Sequence, residues 1–241
     1  MASVRVSQIL TALTTTNPDV GSLPQQLVTA CAQAVPVTGV ALVLMTDDGP
    51  AGSVAATDGP AATMEELQFT LGEGPCVDSS RTGRPVLQSD LARSGPARWP
   101  GFTAGALEAG IEAIYAFPLR IGSIRLGVLD LYRDRAGALT AQEEAEALSF
   151  SDAATTLLLH LQSQASPDAF DAVAIPVIQD RAQVHQATGM IAEEAGVSMA
   201  SALMLLRARA FAADVPIVSL AQDVLAGVVR FSEDGGIFLS R

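Results

Sequence analysis

Hydrophobic positions follow two different periods along this chain. Short apolar runs bounded by turn residues predict β-strands, at 40–46, 52–57, 85–89, 113–120 and 124–132. Apolar positions three and four residues apart predict helices, at 4–16, 23–34, 63–67, 99–110 and 141–163. Hairpins and helices in this order predict an α+β domain, with a central antiparallel sheet flanked by helices.

The last hairpin and the helix after it carry the clearest signals. Strands 113–120 and 124–132 are nearly continuously apolar, as expected for the centre of a sheet covered on both faces. The pair Gly122-Ser123 between them suits a tight hairpin turn. Thr140 is a good N-cap for the following helix, and Glu143 three residues later completes a predicted capping box.

Three further amphipathic helices are predicted in the last quarter of the chain. Their apolar stripes run from Val177 to Ile191, from Met199 to Ala210 and from Leu220 to Phe231. Gly196 is expected to end the first of these helices, and Ser198 to cap the second. Three stripes joined by two tight turns predict a small all-α three-helix bundle. A unit of this size is marginally stable alone, so docking or dimerisation is expected to support it.

A polar segment around Pro167 separates the two patterns. We therefore predict an α+β domain at 1–165, a linker at 166–176, a three-helix domain at 177–233 and a tail at 234–241. The long helix 141–163 is apolar on more than one face. It is expected to pack on its own sheet and on a partner protomer, and so to relay a signal between domains.

Composition indicates a globular protein. Apolar residues make up 49% of the 241 residues and charged residues 17%, which is ample for packed cores. No apolar run reaches the length of a transmembrane helix, and the first residues lack the features of a signal peptide. Two cysteines are too few for a disulfide scaffold. These observations predict a cytoplasmic protein with no membrane partner.

The charge pattern excludes several functions. All 14 cationic residues are arginines, so P-loops, protein kinases and Schiff-base enzymes, which need a lysine, are excluded. The net charge is −12, and both the part before residue 165 and the part after it are acidic. Because neither part is basic, any nucleic-acid contact must come from a local patch.

Catalytic patterns are absent from the sequence. The two histidines, His160 and His185, do not stand at metal-ligand spacing, and no GxSxG motif occurs. Cys76 is expected in a glycine-rich turn that would expose its thiolate. However, no histidine, lysine or second cysteine stands nearby in sequence to lower its pKa. We expect no enzyme activity, no cofactor and no metal site.

The first domain resembles a GAF domain over roughly residues 20–162. The resemblance rests on the segment LGEGPCVDSSRTGRPV, on the hairpin AIYAFPLRIGSIRLGVLDLYR and on the closing helix. It implies a sensor of small molecules, or a dimerisation and relay unit. The ligand is not readable from the sequence. The candidate pocket residues, with core packing as the alternative for each aromatic, are Cys76, Trp99, Phe102, Tyr115 and Phe117.

The last quarter resembles an ANTAR domain. The matching residues are QATGMIAEEAGVS, ALMLLRARAFA and SLAQDVL. The resemblance implies that homodimers bind paired RNA stem-loops in nascent transcripts and prevent premature termination. One departure is Thr188, where many family members carry a lysine. The residues carried over as RNA contacts are Arg181, His185, Gln186, Arg207 and Arg209.

Two other interpretations of this module stay open. The turn at Gly196 followed by a capped helix is also typical of a DNA-binding helix-turn-helix. Against it, Arg207 and Arg209 lie late in their helix, whereas major-groove readers use the first residues of theirs. The acidic net charge favours a third interpretation, a protein–protein interaction module without nucleic-acid binding.

Overall fold

The computed structural model describes residues 2–16, 22–46, 49–163, 182–231 and 237–239. The helices in these ranges are α1 (Ala2–Thr16), α2 (Leu23–Ala34), α3 (Gly59–Leu71), α4 (Pro75–Thr82), α5 (Leu91–Arg98), α6 (Pro100–Glu108), α7 (Ala141–Ser163), α8 (Ala182–Ala195), α9 (Met199–Ala213) and α10 (Ile217–Leu225). The strands are β1 (Gly39–Thr46), β2 (Gly49–Ala56), β3 (Val86–Gln88), β4 (Ala113–Ile121), β5 (Ile124–Arg133), β6 (Val229–Phe231) and β7 (Ile237–Leu239).

Strands β1 to β5 form one antiparallel sheet with the order β2-β1-β5-β4-β3. In its centre, Leu129 of β5 stands opposite Leu42 of β1 on one side and Phe117 of β4 on the other. This sheet with its flanking helices confirms the predicted α+β class and the hairpin between β4 and β5.

Helices cover both faces of the sheet, which is why its central strands are apolar at almost every position. Alternate residues of β1, β4 and β5 pack into a core with α1, α2 and α7. The intervening residues face α3, α4, α5 and α6 and form two smaller clusters. Asp130 in the middle of β5 is the exception, because it is a fully buried acid on the second face.

Helix α7 has the predicted bounds and the predicted capping box. The Thr140 N–H donates to Glu143 Oε2 at 2.7 Å, and the Glu143 N–H donates to Thr140 Oγ1 at 3.3 Å. Helix α1 packs along α7, with an ion pair between Arg5 and Glu146. Helix α1 therefore covers part of the α7 surface on which the sequence predicts a partner protomer.

Glu143→Gln is expected to destabilise the fold near neutral pH but not in acid. The Thr140 backbone N–H and, to a smaller extent, Arg133 lower the pKa of Glu143. Because the folded pKa lies below the unfolded value of about 4.3, the stabilisation is complete above that pH and is lost as the pH falls through the folded pKa. Urea unfolding at neutral and strongly acidic pH checks this. Glu144→Gln, in the same helical turn, is the control, and an equal effect of both substitutions would contradict the prediction.

Helices α8, α9 and α10 confirm the predicted C-terminal helices, and their apolar residues share one cluster. Gly196 has the expected left-handed conformation, with φ 62°, and Ser198 accepts the cap hydrogen bond from the Ser201 N–H at 3.1 Å. The third helix is shorter than predicted. It ends at Leu225, and Phe231 lies in strand β6, which pairs with β7 inside the predicted tail.

An independent three-helix bundle stays a prediction, because the C-terminal cluster includes a residue of the first domain. Phe69 of α3 packs among the side chains of α8, α9 and α10. Thr70 Oγ1 accepts a hydrogen bond from the Ile217 N–H at 3.4 Å, at the start of α10. The Arg207 guanidinium lies directly over Gly72, so closely that a Cβ there would overlap it. Helix α3 thus contacts the sheet on one side and the C-terminal helices on the other.

No single described helix has the length and apolar character needed to cross a membrane. Helices α8 and α9 meet that criterion together, but the chain bends by 108° between them.

Candidate functional site

A cluster of buried polar side chains lies between the sheet and the α3–α4 layer. Glu65 and Gln68 come from α3, Cys76 from α4 and Asp130 from β5. All four are nearly or completely inaccessible to solvent. One ligand atom from each of Glu65, Cys76 and Asp130 lies within 4.8 Å of the other two.

Gln68 connects the members of this cluster. Its Nε2 donates to Asp130 Oδ2 at 3.1 Å and to Glu65 Oε1 at 3.3 Å. Its Oε1 accepts the backbone N–H of Cys76 at 2.7 Å. The amide therefore fixes the first turn of α4 against α3 and β5.

The GEGPC motif shapes the turn that brings Cys76 to this position. Glu73 accepts a hydrogen bond from the Phe102 N–H at 2.8 Å, which ties the turn to α6. Gly74 has φ 134°, and a Cβ there would come within 2.5 Å of Gln68 Oε1. Pro75 then starts α4, as its fixed φ favours. The motif thus makes room for the Gln68 amide and places the Cys76 thiol inside the domain.

Burial and repulsion between neighbouring negative charges raise the pKa values of the titratable groups in this cluster and so favour their protonated forms. Burial, and then the negative charge of Asp130, raise the pKa of Glu65 well above its usual range. Burial also raises the pKa of Asp130 to about 6. The pKa of the Cys76 thiol is raised well above its usual value by burial and by both acids. The expectation of an exposed Cys76 thiolate is therefore wrong, because α4 turns the side chain inward.

The structure separates the five predicted pocket residues instead of grouping them. Tyr115 and Phe117 face the core shared by α1, α2 and α7. Trp99 and Phe102 lie on the other face of the sheet, and Cys76 occupies a small cluster beside them. All five are buried. A single ligand cannot contact all of them without crossing the sheet, so the pocket assignment stays a prediction divided between two faces.

The predicted RNA contacts lie on α8 and α9, apart from Arg181, which is outside the described residues. His185 and Gln186 are exposed on α8. Arg207 and Arg209 are half-buried on α9, and among the described atoms Arg209 Nε has no hydrogen-bond partner. Thr188 is buried, and its hydroxyl donates to the Val184 carbonyl at 2.7 Å. The position at which many ANTAR domains carry lysine thus points into the C-terminal core.

Three members of the buried cluster, Glu65, Gln68 and Asp130, are not among the residues that the sequence patterns single out. Asp130 has a readable signal, because it interrupts the otherwise apolar run GVLDLY. Glu65 and Gln68 stand three residues apart and therefore share a helix face. The sequence gives no indication that this face meets Cys76, since that depends on how α3 and α4 pack on β5.

An antiparallel sheet between two helical layers, with polar groups sealed beneath one of them, is typical of the α+β sensor domains found in signalling proteins. The chain belongs to the GAF family, since the family's model, described as GAF domain, matches residues 22–158. No protein of curated function matches the chain.

Several solved structures are similar to this chain at low sequence identity. The GAF domain of a phosphoenolpyruvate-protein phosphotransferase from Acinetobacter has a TM-score of 0.51 and 10% identity, over 68% of this chain and 96% of that one. The corresponding domain from Coxiella burnetii has a TM-score of 0.48 and 17% identity, over 67% and 96%. A type II free methionine-R-sulfoxide reductase from Thermoplasma acidophilum has a TM-score of 0.45 and 17% identity, over 58% and 92%. At these identities the likeness concerns the fold alone.

Proposed function

We propose that this protein is a signal-responsive regulator that binds RNA stem-loops in nascent transcripts and prevents their premature termination. The GAF domain receives the signal, a small-molecule ligand, and the C-terminal helices act as an ANTAR-type RNA-binding module. The active form is a cytoplasmic homodimer that presents two such modules to paired stem-loops.

The observation that carries this proposal is the surface of α8 and α9. The pattern QATGMIAEEAGVS covers most of α8. Its first residue, Gln186, and the preceding His185 are exposed, and both side chains can form hydrogen bonds to bases. Arg207 and Arg209 on α9 supply planar guanidinium groups suited to phosphates and unstacked bases. We propose these four residues as the RNA contacts of an otherwise acidic chain.

Contacts of α9 with α3 support control by the GAF domain. The guanidinium of Arg207 rests on Gly72, at the end of a helix whose other side belongs to the sensor core. In this docked arrangement RNA and the GAF domain compete for Arg207. A signal that moves α3 away from α9 would raise RNA affinity by releasing that side chain from Gly72.

Arg207→Ala is expected to weaken binding of a two-stem-loop RNA by about tenfold or more, since one such contact contributes roughly 1–3 kcal/mol. Fluorescence anisotropy with the full chain, at low and moderate salt, measures the change. Arg93→Ala is the matched control, because it removes the same charge from an exposed position on α5, far along the chain from the C-terminal helices.

A second substitution tests the control by the GAF domain. Gly72→Ala places a Cβ where the Arg207 guanidinium lies, so this flexible side chain must move off α3 and RNA affinity is expected to rise. Gly72 has φ 65°, so the alanine also strains the end of α3. Unchanged RNA affinity in both Arg207→Ala and Gly72→Ala, with circular dichroism showing intact folding, would contradict the proposed role of Arg207.

DNA binding is the second candidate function, and one observation favours it. Helices α8 and α9 meet at 108° across a short turn, which is within the range of helix-turn-helix units. However, the first residues of α9 are Met199, Ala200 and Ser201, which offer little to base edges. Duplex DNA in the same anisotropy assay distinguishes RNA binding from DNA binding. Tighter binding of the duplex than of the stem-loop RNA would favour the DNA-binding function. Failure of a confirmed dimer to bind either polymer would leave the protein–protein module.

A further inference from the structure

We propose that the GAF domain holds a divalent transition-metal ion of the Zn²⁺ type between Glu65, Cys76 and Asp130. The sequence predicts no metal site, because its two histidines do not stand at metal-ligand spacing and no motif joins these three donors. This proposal does not depend on RNA binding, and its test uses no nucleic acid.

The geometry of the three side chains fits a small ion. The three donors come from three different elements, α3, α4 and β5, and their ligand atoms lie within 4.8 Å of one another. Tetrahedral zinc with bonds of about 2.0–2.3 Å needs its ligands roughly 3.3–3.8 Å apart. Binding therefore requires the three ligand atoms to move closer together by up to about 1.5 Å.

A buried carboxylate oxygen points to the same place. Asp130 is completely buried, and its Oδ2 accepts a hydrogen bond from Gln68. Its other oxygen, Oδ1, receives no hydrogen bond from a backbone or amide donor of the described residues, and the remaining donors beside Asp130 are the protonated Glu65 and Cys76 side chains. Without those protons, Oδ1 would be a buried acceptor with no partner, which is unfavourable. A bound cation would take the place of the protons.

Charge compensation gives a second reason. Two acids and a thiol are packed together beneath the sheet, and no arginine of the described residues forms an ion pair with Glu65 or Asp130. Buried acids are normally paired with a cation or coordinate a metal. Binding would release the protons that Glu65 and Cys76 hold, and the three anionic ligands around a dication would then carry a net charge of about −1.

The donor set selects the class of ion. A thiolate with two carboxylates suits Zn²⁺ and neighbouring transition ions, whereas Mg²⁺ and Ca²⁺ prefer oxygen ligands alone. Gln68 already bonds to both acids and to the backbone of Cys76, so it serves as a positioning residue that orients the ligands. Three protein ligands also leave one coordination position for an exogenous donor.

The experiment uses the untagged full chain, freed of metal with a chelator and titrated with Co²⁺ and Zn²⁺. We expect one equivalent of Co²⁺ per chain, with a near-ultraviolet thiolate-to-cobalt charge-transfer band and visible bands of a tetrahedral site. Zn²⁺ should displace Co²⁺ and raise the melting temperature. Mg²⁺ at the same concentration should do neither.

Three variants keep the result interpretable. Cys76→Ser is expected to abolish the charge-transfer band, and Asp130→Asn to weaken Zn²⁺ binding by about 100-fold or more, beyond the roughly 10–100-fold that loss of an outer-shell partner causes. Cys31→Ser changes the other buried cysteine, on α2, and should retain the full signal. Circular dichroism in chelator confirms that each variant folds. Wild-type protein that binds no Co²⁺ or Zn²⁺, or a band that survives in Cys76→Ser, would overturn the proposal.

Discussion

Gly127→Ala is expected to cost at least about 4 kcal/mol, an exceptional value for one methyl group and a large part of the 5–15 kcal/mol that stabilises a typical domain. Gly127 lies in β5 between β1 and β4, opposite Leu44 and Leu119. A Cβ at this position would overlap the backbone carbonyl of Val43, well inside the 3.0 Å that real Cβ atoms respect. Because the obstacle is backbone in the centre of the sheet, β1 would have to move away.

Urea unfolding followed by far-ultraviolet circular dichroism measures this loss. Gly189→Ala is the matched control, because Gly189 lies inside α8 and a Cβ added there would meet nothing within 4 Å. It is expected to be neutral or slightly stabilising. If both variants unfold at the same urea concentration, the close approach of β5 and β1 is not what fixes Gly127.

Trp99→Ala is expected to destabilise the protein by about 3–5 kcal/mol, the usual cost of truncating a buried aromatic. The indole is 2% exposed and packs among Leu91, Phe102 and Ile111. Its Nε1–H donates to Asp78 Oδ2 at 3.2 Å, and the Arg98 guanidinium lies 4.1 Å from the ring centroid. The side chain thus joins the core of the second face to a surface ion pair.

The Trp99→Ala substitution also distinguishes a ligand-pocket role of Trp99 from a core-packing role. A residue that lines a ligand pocket would lose little stability in the absence of ligand, whereas a core residue loses the full amount. Trp99→Phe keeps a large ring but removes the hydrogen bond to Asp78, and is expected to cost about 1–2 kcal/mol. A loss below about 1 kcal/mol in Trp99→Ala, measured by urea unfolding without ligand, would favour the pocket interpretation.

Elements with strong local signals could be predicted from the sequence almost to the residue. Helix α7 begins at its predicted capping box, and α9 begins at its predicted cap, Ser198. In these cases the local pattern and the tertiary environment favour the same structure.

Elements held by distant contacts could not be predicted in this way. The stretch that forms α4 contains a proline and two serines and is flanked by glycines, a composition typical of turns, yet it is helical in the structure. Its Cys76 N–H bonds to Gln68, and the Ser79 hydroxyl donates to the Ala116 carbonyl on β4. Helix α5 contains Pro96, which local propensity disfavours. Tertiary contacts outweigh propensity in both helices.

Site residues that belong to one short motif or helix could be predicted from the sequence, whereas contacts between distant residues could not. Cys76 stands in a recognisable motif, and His185 and Gln186 stand on an obvious helix surface. Glu65 and Asp130 are far apart in sequence, and so are Gly72 of α3 and Arg207 of α9, which are in contact. Neither contact produces a periodic pattern in the sequence, so neither can be predicted from it.

Helix α3 connects the buried cluster to the C-terminal helices within its own length. Glu65 faces the sheet, and Phe69, one helical turn later, packs with α8, α9 and α10. When two ligands both shift the position of one helix, each changes the binding free energy of the other by the same amount. If an ion at Glu65 changes RNA affinity by some factor, RNA changes the affinity for that ion by the same factor. The transcript would then act as an effector of the sensor, as well as its target.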